Sequence, residues 1–182
     1  MTPLPTVTRL LFAVMLVMIS LTALASDDAP VVWVDHDAAL AGKQIGTVLP
    51  VTDNSGQHIP QTRLQEVHDA LVETLKQQGV LLSKTGTTPQ DDSLVAKVGI
   101  ISFKTGSAAG RWLGFGAGAA KCTMRAQLLD PHDSVVAEVI ETRVVDTGGF
   151  FTIGTDSTFH IDLAKSVADA LARILKPDGA KQ

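Results

Sequence analysis

The residues with the widest chemical range in this chain are five histidines and one cysteine. Asp35-His36-Asp37 sets an imidazole between two carboxylates, a grouping that can orient a general base or a metal ligand. Consecutive residues on an extended chain point to opposite faces, so the three do not converge, and a solvated polar stretch is the expected reading. His160-Ile161-Asp162 has the same difficulty, and His160 falls near a helix start, where a surface or capping position is expected. His68 lies beside Leu64 and Leu71 on an amphipathic run and reads as partly buried and structural. His58 and His132 fall in turns. The five show no zinc spacing. Gly-x-Ser-x-Gly, His-Glu-x-x-His and helix-mounted carboxylate pairs are all missing from the sequence. We therefore assign no catalytic residue, no metal ligand and no cofactor. A small metal-dependent hydrolase using His36 or His160 is kept as a second alternative.

The other unusual feature is glycine. Five of the 15 glycines lie between Gly106 and Gly118, and three more between Gly148 and Gly154. The first cluster contains Arg111-Trp112-Leu113-Gly114-Phe115-Gly116-Ala117-Gly118. Three physical readings compete for it. A phosphate-cradling loop would have to join a strand to a helix, and this segment feeds a strand instead; Ala120 also stands where a Walker loop needs glycine before Lys121. A close-packing helix face would use Gly106, Gly110, Gly114 and Gly118, which recur every four residues, as an oligomerising or interfacial element. A bulged or flexible connection between two strands needs only glycine's conformational freedom, and it is the favoured reading. Arg111 and Trp112 then form a cation-aromatic pair on a loop, the composition of a recognition site. The binding candidates are Arg111, Trp112, Gly114, Gly116, Gly118, Gly148 and Gly149.

Those loops need elements to hold them. Val31 to Val34 reads as a short strand and Lys43 to Val51 as a second, closed by a turn at Thr52-Asp53-Asn54-Ser55-Gly56. Leu64, Val67, Leu71 and Leu75 recur at helical spacing and predict a helix over 62–78, with Thr62 and Gln65 in a capping-box pattern and Gly79 as its stop. Val80-Leu81-Leu82 begins a further strand, and Leu94 to Phe103 reads as a central one. Cys122, Met124, Ala126 and Leu128 alternate with Lys121, Thr123, Arg125 and Gln127, a half-buried antiparallel strand. Val135 to Val145 returns beside it to make a hairpin over 120–145. A last amphipathic helix covers about 158–175, with Ser157 or Thr158 able to cap it. Cys122 on the apolar face packs as a small hydrophobe. The expected fold is α+β: a two-layer sandwich with a largely antiparallel or mixed sheet and both helices on one face.

The run from Arg111 to Lys121, the alternating strand ending at Asp130, the returning strand and Gly148-Gly149 together resemble the bacterial envelope family catalogued as domain of unknown function 4410. The resemblance covers roughly residues 43–176 and is most specific across 94–149. Many of that family look like lipoproteins. This chain has no lipid-acceptor Cys near its start, which argues against a membrane tether. The resemblance carries over no activity.

The whole chain is 45% hydrophobic, and 17 of its first 25 residues are apolar. Arg9, the apolar run Leu10 to Leu21 and Ala23-Leu24-Ala25 make a secretory signal over 1–25, with cleavage expected between Ala25 and Ser26. The run is shorter than the ~20 residues of a membrane span. Residues 26–177 form one domain and 178–182 a short polar tail. With the signal removed, about 41% of the rest is apolar, ordinary for a soluble domain. The net charge of −4 and the lack of a basic block argue against nucleic acid as the main partner. The expectation is a periplasmic, non-enzymatic binding or assembly module with an unidentified envelope protein as its partner. The first alternative is an oligomerising or membrane-associating protein acting through residues 106–118.

Overall fold

The computed structural model describes residues 29–36, 38–82, 92–104, 119–145 and 158–177. The predicted signal, the polar tail and both glycine-rich segments lie outside these residues. Among the described residues the elements in order are β1 (Val31–Val34), β2 (Ile45–Val48), β3 (Thr52–Asp53), α1 (Gln61–Gln77), β4 (Leu94–Lys104), β5 (Ala120–Leu129), β6 (Val135–Val145) and α2 (Phe159–Leu175). They make one mixed sheet of six strands and two helices, an α+β fold, as expected.

The sheet order is β1-β6-β5-β4-β2, with β3 also paired to β4. The β1–β6, β6–β5 and β5–β4 pairs are antiparallel, whereas β2 and β3 run parallel to β4. Alternation along β5 sets its two faces. Cys122, Met124, Ala126 and Leu128 are fully buried, while Lys121 and Arg125 are exposed. On the open face Thr123 and Thr142 share a hydrogen bond of 2.8 Å across β5 and β6. Beside them Arg125 and Gln127 both donate to Glu138 Oε2. The Arg125 hydrogen bonds hold the Glu138 carboxyl below its ordinary pKa.

Both helices bury their apolar stripes toward the sheet. In α1 the stripe is Leu64, Val67, Leu71 and Leu75, the spacing read from the sequence. In α2 it is broad, including Leu163, Val167, Leu171 and Leu175, and it has alanines that let α1 and α2 pack closely. The helices run parallel. Glu66 and His160 meet near their starts, and Lys176 Nζ donates to the Gln78 carbonyl at their ends.

Several local expectations need correction. The capping box at Thr62 and Gln65 does not form: Pro60 holds the N-cap position, with no side-chain cap, because its fixed φ already sets the entry. Gln65 instead donates to Asp69 one turn on. Thr158 is the α2 N-cap and makes no side-chain cap either. The strand expected over 43–51 is confined to β2, Ile45–Val48, and β3 falls at Thr52–Asp53, inside the expected turn. Val80-Leu81-Leu82 contributes only one parallel bridge, Leu81 to Ile45. His160 is not on the surface but fully buried.

Candidate functional site

The seven predicted binding residues, Arg111, Trp112, Gly114, Gly116, Gly118, Gly148 and Gly149, all lie outside the described residues. Their anchors are described. Lys104 pairs with Lys121, and Ala120 pairs with Val145. The strand ends that flank both glycine-rich segments therefore sit side by side on three neighbouring strands, at one end of the sheet.

That end also carries the starts of both helices. Phe103, near the close of β4, stacks on Phe159 of α2 with ring centroids 5.9 Å apart. The Arg63 guanidinium of α1 lies 5.5 Å from the Phe103 centroid, a cation–π contact. His160 meets Phe159 edge to face, and its Nε2 donates to Glu66 Oε2 at 3.1 Å. Its Nδ1 is buried and finds no partner among the described residues. The imidazole is 0% exposed, whereas the Glu66 side chain is 55% exposed. The buried ring links the two helices through its contact with Glu66. The other histidines stay apart: His36 is exposed beside β1, His58 and His132 are in turns, and His68 is half-buried with Nε2 3.5 Å from the Val48 carbonyl. Among the described residues no three metal-ligating side chains come together. The Cys122 thiol is pushed up to about 12 by burial, so it is protonated and inert.

The strongest surface signal is elsewhere, on β1. Val31, Val32, Trp33 and Val34 are 68%, 46%, 51% and 41% exposed. Among the described residues only one side of β1 is paired, to β6. Val31 and Trp33 share the open face with Ile140 and Glu138, while Val32 and Val34 share the helix face with Val139 and Ala137. An unpaired, apolar edge strand is a surface that soluble chains normally cover. The sequence reading found this strand but gave it no role. The available signal was four unbroken apolar residues between Asp28 and Asp35, which alternation does not explain as a half-buried strand.

The opposite edge of the sheet is β2. Ile45 donates to the Val80 carbonyl and accepts from the Leu82 amide, so its outer side is taken. Beyond Ile45 a groove of about 400 Å³ opens between β2 and α1, lined by Thr47, Val48, His68, Val72, Lys76 and Leu81 among others. Most of its wall is aliphatic, with Lys76 and His68 as the basic groups.

The family profile of domain of unknown function 4410 matches residues 27–149, a span from just before β1 to just past β6. The chain belongs to this family. No curated protein matches it. Among solved structures it is similar to PelC from Paraburkholderia phytofirmans, crystallised as a dodecamer. The identity is 16% and the TM-score 0.51, over 81% of this chain and 98% of PelC. A single-substitution form of the same dodecamer gives the same values. At that identity the likeness is one of fold.

Proposed function

We propose that this chain is an exported cell-envelope module that works by assembling with copies of itself, without catalysing a reaction. The observation that carries the reading is β1, a strand with four exposed apolar side chains and a backbone edge that no described residue pairs. Leaving such a strand in water forfeits hydrophobic burial and leaves backbone groups open to pairing, so a partner strand or face is its natural complement. The dodecameric state of PelC supports the reading by fold likeness. The signal over residues 1–25 supports export to the periplasm. The sheet end where the strands flanking the glycine-rich segments meet is then the face offered to an envelope partner of the assembly.

Sedimentation velocity on the full chain expressed with its leader tests this. Wild type should sediment as a multimer. Val32→Asp and Trp33→Asp should sediment as monomers with near-wild-type urea midpoints, since both sites are surface positions. Multimers of unchanged size in both variants would remove β1 from the interface. N-terminal sequencing of the envelope fraction should begin at Ser26.

A further inference from the structure

We infer that β1 of one copy docks along the Thr47 end of β2 in a second copy, with Val32 and Val34 entering the groove between β2 and α1. The inference rests on the self-assembly reading above and specifies its interface.

Strand direction allows the pairing. Stepping across the sheet, β1 is antiparallel to β6, β6 to β5, and β5 to β4, while β2 is parallel to β4. β1 therefore runs opposite to β2. When two sheets continue edge to edge with their helix layers on the same side, β1 and β2 meet as an antiparallel pair, which a ladder of backbone hydrogen bonds can close.

Side-chain facing agrees. Val32 and Val34 lie on the helix face of the sheet. In a continued sheet that face leads into the neighbour's groove, where Val48, Val72 and Leu81 provide an aliphatic wall. Beyond Ile45, β2 has Gly46, Thr47 and Val48 to set against the four residues of β1. The outer side of β2 is occupied at Ile45, so the docking strand is confined to the Thr47 end.

Charge chooses between this arrangement and its symmetric rival. β1 is bracketed by acid on both sides, Asp27 and Asp28 before it, Asp35 and Asp37 after it. Pairing β1 with β1 of a second copy in antiparallel fashion sets acidic flank against acidic flank at both ends. Like charges placed opposite one another across strands are destabilising. The β2 groove offers the Lys76 ammonium instead. The contact is then heterologous, the same two different surfaces used at every junction, and such contacts propagate into closed rings when the rotation closes.

Thiol crosslinking reads the contact directly. Val32→Cys and Thr47→Cys would be made in the full chain singly and together, and treated with a short bismaleimide. Native Cys122 is buried and protonated, so it contributes no background. Within one chain the two sites are four strand spacings apart, about 19 Å, which keeps the reagent from closing inside a monomer. The double variant should give a ladder of covalent dimers, trimers and higher species on a denaturing gel. Each single variant should stay at monomer mass, and a mixture of the two singles should give dimers alone. Dimers from Val32→Cys by itself would establish β1–β1 pairing and overturn the inference. A multimeric double variant that does not crosslink would overturn it too, leaving self-assembly intact. A wild type monomeric at every concentration would overturn both.

Discussion

The His160–Glu66 link makes a prediction that separates a structural histidine from a catalytic one. Glu66→Ala removes the one partner that His160 Nε2 has among the described residues and leaves both ring nitrogens without one there, in a site with no solvent exposure. A buried polar group left without its hydrogen bond costs about 1–3 kcal/mol. Glu66 is itself half-exposed, so truncation admits water toward the ring, and the cost should fall near the lower end, about 1 kcal/mol. On a domain of this size that is a drop of about 2–4 °C in Tm. His160→Leu removes the polar ring altogether. It loses the edge contact with Phe159, about 0.5–1.5 kcal/mol, and relieves the unpaired Nδ1, so its net cost should be under about 1.5 kcal/mol. Adding Glu66→Ala to His160→Leu should then cost almost nothing more. Urea unfolding of the wild type, both single variants and the double variant gives the cycle, with a coupling energy of about 1 kcal/mol expected. Costs that add to within about 0.3 kcal/mol would show that the hydrogen bond contributes nothing, and the structural reading of His160 would be wrong.

Three further outcomes follow from the packing and the charges. Leu71→Ala empties a fully buried position on α1 facing the sheet and should lower unfolding free energy by about 3 kcal/mol, read as a shift in urea midpoint with unchanged m-value. Glu138 has its folded pKa depressed, chiefly by hydrogen bonds from Arg125. Its stabilisation is therefore complete above the unfolded value of about 4.3 and lost as pH falls through the lower folded value. Glu138→Gln should flatten that acid limb in a plot of Tm against pH, and superimposable wild-type and variant limbs would contradict the assignment. Cys122, buried and protonated, should react with a chromogenic disulfide reagent only after urea unfolds the chain.

Much of the fold was legible because its signals are local and periodic. The 3.6-residue recurrence from Leu64 to Leu75 marks α1, and the strict alternation from Lys121 to Leu128 marks β5 together with its buried face. What escaped depends on tertiary context. Thr62 and Gln65 have the chemistry of a capping box, but Pro60 one step earlier sets the helix entry, and Gln65 turns outward to Asp69. His160 has nothing in its neighbours to say that Phe159, Glu66 and a second helix will close over it. For the candidate site, only the flanks of the glycine-rich segments fall among the described residues. The pairing of Ala120 with Val145 brings the flanks of both glycine clusters to one end of the sheet, as a hairpin over 120–145 requires. Arg111, Trp112 and the glycines themselves lie outside the described residues. The exposed β1 strand was visible as four apolar residues, but a sequence does not say whether such a strand falls at the centre of a sheet or at its edge. Edge position is a property of strand order, and strand order here comes from long-range pairing of β1 with β6, more than 100 residues away.

The central claim is that the apolar edge at β1 is covered by another copy of the chain. Native mass spectrometry of the processed wild-type protein, taken through a dilution series, tests it most directly. The account predicts one discrete multimer that persists on dilution and is reduced to monomer by Val32→Asp. A wild type found only as monomer across the series would contradict it.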